Sequence, residues 1–168
     1  RYGLETNMND VASVAYSKHV DNGEKSYNIS SRYPDKGSNM NTIAAYLTHN
    51  WEIGRKLIFS QGVRFSDVTM KSIYSDTMMS MMKFPFDKNI SLHNSAFNGS
   101  AGLVLLPGFD WKISLMASSG FRVPNVDDIT KVNDSKGKNH LLVVPNLGLK
   151  PENAYNLDFT INKVINKT

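Results

Sequence analysis

Five segments of this chain alternate apolar and polar residues with a period of two, and this alternation constrains the fold more than any other feature. In the segment 42–53 the odd-numbered positions include Leu47 and Trp51, and the even-numbered positions include Thr48 and Glu52. Because successive side chains of a β-strand point to opposite faces, the pattern predicts a strand with one apolar and one polar face. Similar alternation occupies 57–66, 96–106, 111–122 and 155–162, and a weaker version occupies 1–9.

The connections between these segments alternate strictly between long and short. Tight turns are expected at "GRK" and "PGFD", and long connections at about 17–41, 70–89 and 123–151. Bacterial outer-membrane barrels place short turns at one end and long external loops at the other. We therefore predict an all-β fold: an antiparallel up-and-down meander of about six strands that is a partial segment of a large transmembrane β-barrel.

The two faces of the predicted strands differ as a barrel wall requires. One face is aliphatic with aromatic residues near its ends, whereas the other carries Ser, Asn, Thr, Gly and isolated charges. The first suits lipid and the second suits a water-filled interior. The alternative is a surface β-sandwich, an adhesin or a carbohydrate-binding module, which would bury its apolar face against a second sheet.

Composition and motifs exclude several other classes. The net charge of +4 is spread thinly without a Lys/Arg block, so we expect no nucleic-acid partner. The absence of cysteine excludes disulfides and thiolate metal sites. No catalytic Ser/His/Asp arrangement or phosphate loop stands out, and Glu5 and Glu24 are too isolated to pair, so no enzyme is expected. His49 and His93 stand singly, so we expect no metal site on the strands.

Several short motifs carry a family resemblance. They are "RYP" (32–34), "GVRFS" (62–66), "FPF" (84–86), "GFRVPNVDDITKV" (120–132) and "VVPNLGLKPE" (143–152). Their succession resembles the barrel of TonB-dependent outer-membrane receptors, particularly those of the Bacteroidetes type. The resemblance covers nearly the whole chain.

This resemblance implies a receptor for active uptake of a scarce nutrient, such as an iron–siderophore or haem, across the bacterial outer membrane. Expected partners are outer-membrane lipid, the transported small molecule and the TonB complex, which acts through a plug domain. Since neither a plug nor the terminal strands are recognisable, we interpret residues 1–168 as an internal piece of the barrel domain. The sequence does not name the cargo, and a transported ligand rather than a resident cofactor is expected.

Two prolines mark the ends of the third long connection. Pro124 cannot donate to a strand ladder, so it is expected to stop its strand, and Pro151 precedes the next strand. Asn125 then suits the N-cap of a short helical turn, with Asp127 and Asp128 where a helix dipole favours negative charge.

Arg122 and Glu152 share the polar face of two neighbouring strands by parity. We predict that their side chains approach to about 2.7–3.2 Å or through one water. Such a charge-assisted pair would fasten the two ends of the long connection and serve as a structural rim pair.

The remaining basic and aromatic residues of the polar face and loops are candidate ligand contacts. The methionines of "TMMSMMKFPF" are instead expected to pack and fix their loop. His140 is also a possible haem ligand, because in haem receptors of the resembling family a histidine lies between similar motifs. The candidate ligand-binding residues are Arg32, Tyr33, Arg64, Lys112, Arg122, Lys136, Lys138 and His140.

Overall fold

Six long strands form one antiparallel sheet in a computed structural model that describes residues 1–27, 29–134, 142–143 and 145–165. Two short helices and two two-stranded ribbons lie in the connections. In chain order the elements are β1 (Tyr2–Val11), β2 (Ser17–Lys18), β3 (Lys25–Ser26), β4 (Ser38–Ile53), β5 (Leu57–Ile73), α1 (Asp76–Met82), β6 (Asn89–Gly108), β7 (Trp111–Arg122), α2 (Val126–Thr130), β8 (Asn133–Asp134), β9 (Leu142–Val143) and β10 (Glu152–Lys163). In the described part of the chain, neither helix has the length and apolar character needed to cross a bilayer.

The long strands follow one another across the sheet in the order β1, β4, β5, β6, β7, β10, so the predicted meander is confirmed. The short turns join β4 to β5 and β6 to β7. Gly54 supplies the left-handed conformation in the first turn, with φ of 66°. The second turn follows an irregularity in the β6–β7 pairing between Leu105 and Gly108. Both short turns lie at one end of the sheet, and the three long connections lie at the other.

The register assigns every strand residue to one of two faces. Tyr46 pairs with Arg64 and Arg64 pairs with Asn98, so these residues share what we call the inner face. The opposite, outer face carries apolar side chains that remain exposed on central strands, including Val63 at 56% and Phe97 at 79%. A sandwich would bury that face, and no second large sheet is present among the described residues.

The strands extend further toward the long loops than the alternation indicated. β4 begins at Ser38, β5 ends at Ile73 and β6 begins at Asn89, so the loop bounds 17–41 and 70–89 were too wide. The reason is that the polarity of the two faces reverses near this end. There the inner face is apolar, and the pattern no longer matches the alternation of the membrane zone.

The reversed inner face packs against the long loops. Met70 pairs with Leu92, and Ile90 pairs with Ser72. The apolar side chains of Met70, Leu92 and Ile90 point toward the loop side. They join a core, here called the loop core, to which α1 and α2 contribute. Its buried members are Met70, Tyr74, Met78, Ile90, Val126, Ile129 and Val132. The expected packing of the methionine segment is found, because Met78 is only 3% exposed.

Each helix begins at a side-chain cap. Ser75 caps α1, since its Oγ accepts a hydrogen bond from Met78 N at 3.1 Å. Asn125 caps α2, since its Oδ1 accepts from Asp128 N at 2.9 Å. The Asp128 carboxylate in turn accepts from Asn125 N at 3.0 Å, which completes a capping box. The helical turn expected after Pro124 is therefore present.

Candidate ligand-capture surface at the loop end of the sheet

Arg64 projects from β5 on the inner face, where the sequence placed it. Its Nη1 lies 2.9 Å from Glu5 Oε2 on β1, and its Nε donates to Ser66 Oγ at 3.1 Å. Glu5 had been set aside as too isolated to form a pair of carboxylates, and its contact with the Arg64 cation was not predicted. Glu5 on β1 and Ser66 on β5 both pair with Ala44 of the intervening strand β4. Glu5 and Arg64 therefore lie on the same face of the sheet, and the contact between them crosses β4. Face parity alone could have placed Glu5 on the same side.

Small residues leave an open trough beside this ion pair. Gly62, Ser100 and Ser118 lie along the inner face, and with Tyr46 and Arg64 they border a cavity of about 440 Å³. A Cβ atom at Gly62 would lie 2.9 Å from Ser100 Oγ, so a side chain there would require the Ser100 hydroxyl to move. The trough is polar, open and about midway along the strands, which suits a hydrated interior.

Arg122 forms ion pairs with two carboxylates at the loop end of the sheet. Its Nη1 lies 3.2 Å from Glu152 Oε1, and these residues are direct partners in the β7–β10 register. This distance is within the range expected from the sequence. The second contact, from Nη2 to Asp128 Oδ2 at 2.6 Å, was not anticipated. Asp128 therefore takes part in the capping box of α2 and also forms an ion pair with Arg122.

Arg32 and Tyr33 come from the first long loop and meet α2 at Asp127. The Tyr33 hydroxyl donates to Asp127 Oδ1, and Arg32 Nη2 lies 3.9 Å from that oxygen. On the helix itself, Lys131 Nζ lies 3.6 Å from Asp127 Oδ2. The hydrogen bond to Asp127 raises the pKa of Tyr33, chiefly because the carboxylate accepts the phenolic proton. That hydrogen bond, with Lys131 and Arg32, holds the pKa of Asp127 below its ordinary value despite partial desolvation.

Two further hydrogen bonds connect α2 and its flank to the other loops. The Tyr74 hydroxyl, from the end of β5, donates to Thr130 O at 2.7 Å, and Val132 N donates to Arg32 O at 2.8 Å. Burial raises the pKa of Tyr74, so this hydroxyl stays protonated as the donor. α2 lies in the third long connection and consequently contacts the other two, and we call α2 with Arg32, Tyr33, Tyr74 and Arg122 the rim hub.

The other candidate residues differ in their surroundings. Lys112 lies on the inner face near the short-turn end opposite Asn162, and it makes no ion pair with another described residue. Lys136, Lys138 and His140 lie outside the described residues, and so does the expectation of haem ligation at His140.

The two strand histidines have partners that the sequence analysis missed. His93 Nε2 lies 2.7 Å from Asp67 Oδ2, and His49 Nδ1 lies 3.2 Å from Gln61 Nε2. The first contact is diagonal across two neighbouring strands, since His93 pairs with Thr69 rather than with Asp67. Each contact joins two side chains from neighbouring strands.

A separate cavity of about 270 Å³ opens between the first long loop and α1. Asp35 and Lys36 from the loop and Met78 and Met81 from the helix are among its lining residues. The sequence analysis did not single out this aspartate and lysine, although "PDKG" is a turn signal that would have directed attention there. The loop end therefore holds both a rim hub and a pocket.

An apolar outer face, a polar inner face and structured long loops at one end define the wall of a bacterial outer-membrane β-barrel. Residues 1–166 match the family described as TonB dependent receptor-like, beta-barrel, and the chain belongs to this family. No curated protein matches the chain. Members of the family are receptors and transporters of the bacterial outer membrane rather than enzymes, and they work with TonB to move small-molecule ligands.

Proposed function

We propose that the protein captures a scarce small-molecule nutrient at its long loops and passes it inward in a TonB-dependent step. Ferric siderophores and haem are the candidate cargoes, and the Bacteroidetes-type assignment stays a prediction. The observation that carries the proposal is the reversal of polarity at the loop end. There an apolar inner face supports the loop core, so described residues of all three long loops pack together on one surface.

We assign initial ligand contact to Arg32 and Tyr33 at the rim hub. We assign it also to Lys136, Lys138 and His140, which lie outside the described residues. Arg64, Lys112 and Arg122 would contact cargo along the inner face. Two of these three cations already face carboxylates, Glu5 for Arg64 and both Asp128 and Glu152 for Arg122. The inner face is therefore nearly balanced in charge, which supports a ligand with polar groups of both signs over a simple anion.

The residues 1–168 would supply six strands of the barrel wall. Such a sheet has free edges at β1 and β10 among the described residues, and barrels of this kind need additional strands to close. We propose that further strands and a plug domain complete the protein, and that TonB acts on the plug. Catalysis has no part in this proposal.

Growth and uptake in cells test the function. The chromosomal gene is deleted, and cells are grown with iron restricted to one ferric siderophore or to haem, with and without the TonB system. We expect deletion to abolish uptake of one cargo, full-length protein to restore it, and restoration to require TonB. Uptake of every tested nutrient that is unchanged by the deletion, or restoration without TonB, would contradict the proposal.

A further inference from the structure

The cavity between the first long loop and α1 is distinct from the rim hub and from the trough beside Arg64. None of its lining residues contributes to the ion pairs of those two regions. Its volume of about 270 Å³ corresponds to about nine water molecules at about 30 Å³ each. A free amino acid or a dipeptide is the size of ligand that such a space holds.

The charged part of the wall is one aspartate beside one lysine. Asp35 Oδ1 accepts a hydrogen bond from Ser75 N at 2.8 Å, and a carboxylate has about four acceptor sites, so it can accept from a further donor. Burial acts to raise the pKa of Asp35, but hydrogen bonds from Ser75 and the charge of Lys36 outweigh it, so the pKa is lowered. The ammonium of Lys36 makes no ion pair within the described part of the chain.

Both charges project from a turn that is fastened to the sheet. Gly37 N donates to Pro34 O at 3.2 Å, and the left-handed φ of Gly37, 96°, is one that glycine adopts without strain. Lys36 N donates to Ile73 O at 3.2 Å, and Ile73 N donates to Gly37 O at 3.0 Å. The backbone that carries Asp35 and Lys36 is thus held in place before any ligand arrives.

The rest of the wall is apolar with a few hydroxyl groups. Tyr27, Met78 and Met81 supply the apolar part, and Ser13 and Thr77 supply hydroxyls. Methionine side chains are flexible and polarisable, so they accommodate apolar groups of different shape.

We propose that this cavity binds the ammonium and carboxylate groups of an amino acid or short peptide. Asp35 receives the ammonium, Lys36 receives the carboxylate, and the ligand side chain lies against Tyr27, Met78 and Met81. A neutral sugar carries no charge for Asp35 or Lys36 to bind, and a simple anion would meet the Asp35 carboxylate. This inference rests on the proposed function, since it names a ligand chemistry for the surface where cargo is captured.

Calorimetric titration of the purified full-length receptor with leucyl-leucine tests the inference. We expect binding that weakens at least about tenfold when the dipeptide is N-acetylated, and also when its carboxyl end is amidated, because each change removes one charge-assisted contact. Asp35→Asn should weaken binding of leucyl-leucine at least about tenfold. It should also abolish the difference between the free and acetylated dipeptides.

Asparagine keeps an oxygen that accepts from Ser75 N, so this variant retains the local fold. Asp21→Asn is the matched control, because Asp21 is an exposed carboxylate of the same loop outside the cavity, and its binding should equal that of the wild type. Equal affinity for blocked and free dipeptides, an Asp35→Asn variant that binds normally, or no heat with leucyl-leucine at millimolar concentration would overturn the inference.

The titration needs neither TonB nor transport, so the two proposals fail separately. Binding of leucyl-leucine without any TonB-dependent uptake would contradict the proposed function alone. TonB-dependent uptake of another nutrient by a receptor that does not bind leucyl-leucine would contradict this inference alone.

Discussion

Arg122 illustrates how one side chain at the rim serves two elements. It contacts Glu152 on the neighbouring strand and Asp128 in the first turn of α2. The sequence supported the first contact, because both residues lie at strand ends and share face parity. It did not support the second, because the position of α2 over the sheet depends on the loop core.

Arg122→Ala should lower the free energy of unfolding by only about 0.2–1 kcal/mol for each exposed ion pair that it removes. It should reduce cargo uptake more strongly, because α2 would lose its connection to β10. Urea unfolding in micelles and uptake in cells measure the two effects, and Lys150→Ala, an exposed cation at the same rim, is the control. A loss of folding that accounts for all of the lost uptake would contradict this role.

Asp127 should make the rim hub sensitive to acid. Its pKa is lowered in the folded protein, so its stabilising effect is present above the ordinary carboxyl pKa of about 3.9 and is lost as pH falls through the lowered value. Spin labels at Ser30 and Lys150 should give a narrow distance distribution at pH 7 that broadens below about pH 4. Asp127→Asn should give the broad distribution at every pH, and a pH-independent wild type would refute this expectation.

At the level of individual strands, β5 and β6 each pass through two environments, and the polarity of their faces changes between them. Toward the short turns their outer face is apolar, and it ends in the Phe65–Phe97 ring pair, whose centroids lie 4.8 Å apart. Beyond that pair the outer face carries polar Asp67 and His93, while the inner face becomes apolar at residues such as Met70. This change marks where lipid gives way to water outside and where loops begin to fill the interior.

The Asn125 cap should control the order of α2. Asn125→Ala removes the acceptor for Asp128 N and should destabilise the helix by about 0.5–2 kcal/mol. The Ile129 amide, which donates to Asn125 O, should then exchange its hydrogen faster, whereas amides in the centre of β5 should not change. Equal protection of Ile129 in variant and wild type would show that loop packing alone holds the helix.

Met78→Ala should loosen the packing of the loop core and lower its stability. The side chain is buried between α1 and the sheet, and truncation of such a residue costs about 2–5 kcal/mol. We expect faster protease cleavage in all three long loops and unchanged strands by circular dichroism. Met81→Ala provides the comparison, because Met81 is 42% exposed on the same helix and should have a much smaller effect.

At the scale of the whole molecule, the sheet presents its apolar face to lipid. The apolar outer residues of β5 lie within 57–65, which matches the length of about 9–11 residues that a tilted spanning strand needs. No second sheet in the described chain covers this face, so bilayer lipid is the environment that its exposed side chains suit.

Leu115→Arg should destabilise the barrel by about 2–4 kcal/mol if Leu115 lies near the bilayer midplane. Ser114→Arg is the matched control, because Ser114 is the preceding residue of β7 and faces inward. Reversible unfolding from lipid vesicles compares the two variants. If both substitutions have the same effect, the assignment of the faces is wrong.

Cysteine labelling in intact cells tests the direction of the sheet. The chain contains no cysteine, so single substitutions give unique labelling sites. A membrane-impermeant maleimide should label Asn22→Cys in the first long loop without permeabilisation and label Arg55→Cys only after it. Labelling of Arg55→Cys from outside would reverse the proposed topology.

Features that depend on neighbours along the chain could be predicted from the amino-acid pattern. Period-two alternation fixed which residues share a face, turn residues located the two tight connections, and Pro124 with Asn125 specified the end of β7 and the start of α2. The tertiary structure decided which charges meet, because Glu5 reaches Arg64 only across the intervening β4. It also decided how far the strands extend, since apolar inner residues beyond Phe65 are stabilised by loops that are distant in sequence. The alternation along a strand shows on which face of the sheet a residue lies. What surrounds that residue depends on the segments that fold against it.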